Sequence, residues 1–108
     1  MTLEEALVAV WRQAMNEAAD AVELAGRRFP VRLTPRQGLR EVDFVFRGQS
    51  LRGMEQNPKT GSRWAALARS GAKVMQFLSS GRYVGVVVDG KVTMYGKERQ
   101  PQAKRNPF

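Results

Sequence analysis

Near Pro30 the apolar period of this chain changes from about 3.6 residues to 2, the signature of a helix followed by strands. Upstream, Leu3, Leu7, Val10, Ala14, Ala18, Ala21 and Ala25 recur by threes and fours. Ala6, Trp11, Met15 and Val22 widen that stripe, which predicts one amphipathic helix over 3–25. Thr2 with Glu5 three residues on has the spacing of a capping box. Gly26, Arg27 and Arg28 suit the opposite end of the helix dipole. The stripe is rich in alanine, which favours close approach to a flat partner such as a sheet.

Downstream, Val31–Thr34 alternates briefly before Pro35 and Gly38 interrupt. Glu41–Arg47 alternates cleanly, with Val42, Phe44 and Phe46 on one face and Glu41, Asp43 and Arg47 on the other. Gly48-Gln49 fits a type II′ hairpin, pairing Phe46 with Leu51 and Val42 with Glu55 and placing Asp43 diagonal to Arg52. Asn57 or Thr60 begins a second helix, with Trp64, Leu67 and Ala68 facing the core and Gly71 ending it. Three more strands follow, at 73–78, 82–88 and 91–95. Asp89-Gly90 is a type I′ signal that pairs Val87 with Val92 and Gly85 with Met94. Both faces of 82–88 are apolar, as in a central strand covered on two sides. The expected fold is α+β: a long N-terminal helix packed on a mostly antiparallel, curved sheet of five to six strands, with a second short helix inserted. The order is α-β-β-β-α-β-β-β.

At 108 residues and 43% apolar content the chain suits a single domain, expected over 1–96. Residues 97–108 have no period and almost no apolar content, so they are expected to form a flexible basic tail. The acidic start does not resemble a secretory leader, and no apolar run approaches the roughly 20 residues that cross a bilayer. The expectation is a cytoplasmic protein without a membrane partner.

The chain contains no Cys and no His. Zinc fingers, Cys–His nucleophiles, Ser–His–Asp triads, haem ligation and disulfides are therefore excluded within it. Proton transfer falls to carboxylates, Lys or Tyr. Glu41, Asp43 and Glu55 are the carboxylates a metal-dependent enzyme would use. In the register above Glu55 lies on the other face from Glu41 and Asp43, so they do not converge. No catalytic residue, metal or cofactor is expected.

Charge is the remaining signal. Lys and Arg number 18 against 10 Asp and Glu, a formal net charge of +8. Residues 1–28 carry five acids against Arg12, Arg27 and Arg28, so everything downstream is strongly cationic. The stretch 59–82 holds Lys59, Arg63, Arg69, Lys73 and Arg82 and no acid. On a helix, Lys59, Arg63, Arg69, Ser62 and Ser70 share one exposed sector. Thr60 and Ser62 add hydroxyls at a helix start, where free N–H groups attract anions. A solvated helix face explains the same pattern without a ligand. Most aromatic residues are expected in the core, with Tyr83 and Tyr95 the two to watch for exposure. The leading expectation is a non-catalytic module for a polyanion, nucleic acid above all, through Lys59, Thr60, Ser62, Arg63, Arg69, Lys73 and Arg82. The alternative is a protein-interaction or homodimeric module, with an acidic partner or a second copy meeting the N-terminal helix or the sheet edge.

Overall fold

A computed structural model describes residues 1–96. The expected tail, 97–108, lies outside the described residues. Helix α1 runs Leu3–Trp11 and continues as a π-helical turn, Arg12–Asn16. Seven strands follow: β1 Ala21–Leu24, β2 Arg27–Leu33, β3 Arg40–Phe46, β4 Gln49–Glu55, β5 Val74–Ser79, β6 Arg82–Val88 and β7 Lys91–Met94. Helix α2, Arg63–Arg69, is inserted between β4 and β5. The sheet is antiparallel throughout, and its spatial order is the chain order.

The α+β class and the inserted helix match the expectation, but seven strands exceed the expected five to six. The missing strand lay inside the expected helix 3–25. The capping box does form: the Glu5 N–H donates to Thr2 Oγ1 at 3.1 Å and the Thr2 N–H to Glu5 Oε1 at 2.8 Å. That bond from the Thr2 backbone holds the Glu5 carboxyl below its ordinary pKa. The helix then widens, Glu17 N–H bonding to Arg12 C=O, and Ala18 takes a left-handed φ of 51° that ends it. Ala18, Ala21 and Ala25 continue the helical spacing only by coincidence. Val22 and Leu24 flank exposed Glu23 in strand alternation and are both buried.

Each two-residue hairpin is an X-Gly pair with both φ values positive: Ala25-Gly26, Arg47-Gly48, Ser80-Gly81 and Asp89-Gly90. That is the type I′ turn, whose twist matches its flanking strands. At the β3–β4 turn the central pair is Arg47-Gly48, not Gly48-Gln49. The type II′ register is therefore corrected by two residues. Phe46 faces Gln49, Asp43 lies directly opposite Arg52, and Val42 faces Gly53 rather than Glu55. The Asp89-Gly90 register is as expected, Val87 opposite Val92 and Gly85 opposite Met94.

Helix α1 touches β1 near one edge of the sheet and β6 and β7 at the other, so the sheet bends round it. Leu7 and Val10 of α1 and Ala14 of the π-turn pack with Val22, Val42, Phe44, Met75, Phe77 and Val87 in the main core. Phe77 pairs with Gly53 on one side and Gly85 on the other. A Cβ on Gly53 would lie 2.9 Å from the Phe77 ring and from Met75 Sδ, so only glycine leaves room there. Gln13 in the π-turn closes the β1 edge: its side-chain amide donates to Glu23 C=O and accepts from Glu23 N–H, both at 2.9 Å.

The opposite, outer face is covered by α2, which packs on β5. There Ala65, Val74 and Val86 are buried as a small second core. No helix among the described residues is long and apolar enough to cross a membrane.

Candidate polyanion-binding surface

The chain leaves β4 at Glu55 and enters α2 through a short polar loop. Asn57 Oδ1 accepts from the Lys59 N–H at 2.8 Å, an Asx turn. Ser62, not Asn57 or Thr60, is the N-cap: its hydroxyl accepts from the Ala65 N–H at 3.1 Å. Thr60 and Ser62 hydroxyls lie 3.3 Å apart, and the Gln56 amide donates to the Thr60 hydroxyl at 3.3 Å. These hydroxyls shape the loop. The Arg69 guanidinium, from the last turn of α2, donates back to the carbonyls of Pro58 and Thr60, the latter at 3.2 Å. Arg69 thus braces the loop that presents Lys59.

Arg63 is exposed and stacks its guanidinium 5.2 Å from the centre of the Trp64 ring. Trp64 is half-buried rather than a core residue. Beside it stands Tyr95, whose hydroxyl is buried and has no hydrogen-bond partner among the described residues. Gln76 and Trp64 lie next to that hydroxyl, with Tyr83 and Arg63 near by. Burial pushes the Tyr95 phenol above its ordinary pKa. Arg63, Trp64, Gln76, Tyr83 and Tyr95 therefore form one neighbourhood on the outer face.

Lys59, Thr60, Ser62, Arg63 and Arg69 are brought together by α2 and its entry loop. Lys73 and Arg82 are not. Lys73 lies just before β5, where its backbone N–H donates to Asp89 Oδ1 at 2.8 Å and its carbonyl accepts from the Trp11 indole at 3.0 Å. Arg82 pairs with Ser79 at the other end of β5, about 20 Å along the strand from Lys73. It also alternates with Tyr83 and so belongs to the opposite face.

The carboxylates sit on the strands, Glu41 and Glu55 in a cleft beside the α2 entry loop. Asp43 is held side-on by Arg52, at 2.7 and 3.3 Å, and by Arg32 at 3.1 Å. The bonds from Arg52, then Arg32, hold its carboxyl below the ordinary pKa. Arg32 also meets Glu41 at 3.4 Å, Arg40 meets Glu55 at 3.3 Å, and Arg28 meets Glu23 at 3.7 Å. Every carboxylate on a strand is thus matched by a strand arginine. Lys59, Arg63 and Arg69 make no ion pair among the described residues, and neither does Arg36 in the β2–β3 turn. Glu41, Asp43 and Glu55 do not form a metal-binding group, and no such group of His, Cys, Asp or Glu occurs among the described residues.

Sequence reasoning passed over Arg36, Gln37, Gln56 and Gln76. No local pattern marks them; Gln37, Gln56 and Gln76 line one cleft only because β3, β4 and β5 pair over long range. The Arg40–Glu55 pair becomes readable once the β3–β4 turn is centred on Arg47-Gly48. No protein-family model, curated protein or solved structure matches the chain.

Proposed function

We propose that this protein is a non-catalytic binding module for a polyanion, nucleic acid above all, acting through the outer face around α2. One observation carries the reading. The strand carboxylates are consumed by strand arginines, while the α2 segment bears Lys59, Arg63 and Arg69 with no acid between residues 56 and 88. Phosphates displace counterions from such unmatched cations, so affinity comes mainly from charge and falls steeply with salt. Lys59 and Arg63 make the phosphate contacts, and Arg69 holds the loop in shape. Lys73 and Arg82 extend the field from the sheet ends rather than joining the same contact.

Titration of labelled DNA and RNA at low salt tests the proposal. Charge reversal at Arg63 and Lys59 is expected to abolish binding, whereas reversal at Arg12, which pairs with Glu17 at 3.5 Å on the far side, leaves it nearly intact. Absence of binding to either nucleic acid at low salt refutes the reading.

A second reading is favoured by the unequal sheet edges. β1 is blocked by Gln13, but β7 carries no further strand among the described residues. Beside β7, Met1, Val8, Ala9 and Val92, together with the charged Glu4, Glu5 and Arg12, line a largely apolar groove of about 490 Å³. An open edge next to an apolar groove is suited to pairing with a second copy. Light scattering at two protein concentrations separates the readings: a strict monomer rules out this one and leaves the first untouched.

A further inference from the structure

The outer face carries a cleft of about 330 Å³ between the β2–β3 turn and the α2 entry loop. That is the small end of the range for ligand sites, about 300–1,000 Å³, and suits a group the size of one heterocycle. Tyr83 and Gln76 reach it from the sheet. Gln37 stands on one wall and Gln56 and Thr60 on the other.

The chemistry inside differs from that at the rim. Glu41 and Glu55 also line the cleft, with only 20% and 22% of their side chains exposed, and each is tied to an arginine. A phosphate placed here would meet two carboxylates and a single lining arginine, Arg40, which is already paired with Glu55. A neutral planar group with its own donors and acceptors would not be repelled by them. Glutamine amides offer both partners to such a group, carboxylate oxygens accept from an exocyclic amine, and an aromatic ring offers a stacking face. Cations outside the lining set have the opposite character: Arg36 adjoins Gln37 in the chain, Lys59 adjoins Thr60 and Arg63 follows three residues on, all exposed and outside ion pairs among the described residues.

We infer that this cleft takes one unstacked base of a single-stranded nucleic acid, stacked on Tyr83, while the flanking phosphates rest on Arg36, Lys59 and Arg63. The inference rests on the polyanion-binding reading and adds strand type to it. A base paired within a duplex is not free to enter, so the site selects single strands.

Fluorescence anisotropy with three probes of equal phosphate count tests it: a single-stranded oligonucleotide, the same strand made abasic, and a duplex. The wild-type protein is expected to bind the single strand about tenfold or more tighter than the other two, the scale of one base–aromatic stack. Tyr83→Leu should bring the single strand down to the abasic level and leave abasic binding unchanged. Tyr83→Phe should retain the preference and, with a thermal melt, shows that the position tolerates change. Arg63→Glu should weaken all three probes. Equal wild-type affinity for the single strand and the abasic strand or the duplex, or a Tyr83→Leu protein that keeps the preference, overturns the inference while leaving the polyanion reading in place. Failure of all three probes to bind at low salt overturns both.

Discussion

The two faces of the sheet are covered by helices of very different investment. Helix α1 is capped at its start, extended by a π-turn, and buries Leu7, Val10, Trp11, Ala14 and Met15 into the main core. Helix α2 has seven residues and buries only Ala65. The inner face therefore carries most of the stabilising burial, since stability follows apolar area removed from water. The outer face keeps Trp64, Tyr83 and Gln76 only partly covered, and the α2 segment carries Lys59, Arg63 and Arg69 without an ion pair among the described residues. Side chains left in contact with solvent beside a rigid sheet are available for a ligand, and those packed against α1 are not.

This division is open to direct attack, and the largest effect is expected at Gly53. Gly53→Val forces two methyl groups against Phe77 and Met75, so it should cost about 3 kcal/mol or more, read as a fall in the urea midpoint. The fraction still folded should bind oligonucleotide normally if the faces are independent. Arg63→Glu is the converse change: a loss of about tenfold or more in affinity with a melting temperature within a degree or two of wild type. Equal losses of stability at both positions would dissolve the distinction between the faces.

Smaller effects sharpen it. Ala18 holds a left-handed φ that costs a residue with a Cβ about 1–2 kcal/mol, so Ala18→Gly should raise stability by about 1 kcal/mol. Tyr95→Phe removes a buried hydroxyl that has no hydrogen-bond partner among the described residues and should be neutral or stabilising by a few tenths of a kcal/mol, seen by thermal unfolding. The smallest change concerns Asp43. Its carboxyl is held below the ordinary range by Arg52 and Arg32, so its contribution is present above the unfolded-state value and is lost as pH falls through the folded-state value. Asp43→Asn should therefore lower stability slightly at neutral pH and flatten its decline in acid; these side chains are about half exposed, which keeps the effect small.

Much of the inner face is legible from local chemistry. The Thr2–Glu5 box, the alternation of Val42, Phe44 and Phe46, and the Asp89-Gly90 turn each specify their element through contacts a few residues apart. What escapes is set by longer-range choices. Alanines at 18, 21 and 25 satisfy helical spacing as well as strand geometry, and only the burial of Val22 and Leu24 against Phe29 and its neighbours decides for β1. Arg47-Gly48 is not a favoured type I′ pair, so the turn position, and with it the register of Glu55, follows from cross-strand packing. The candidate surface shows the same split. Lys59, Arg63 and Arg69 share a segment and so share a place, whereas Lys73 and Arg82 are nine residues apart in a hairpin whose length separates them.

Salt dependence of single-strand affinity tests the central claim most directly. If Arg36, Lys59 and Arg63 each neutralise a phosphate, a double-logarithmic plot of affinity against salt should fall with a slope of about −2, and Arg63→Glu should make it shallower by about 0.7 or more. A slope near zero, or an unchanged slope in the Arg63→Glu protein, would contradict the account.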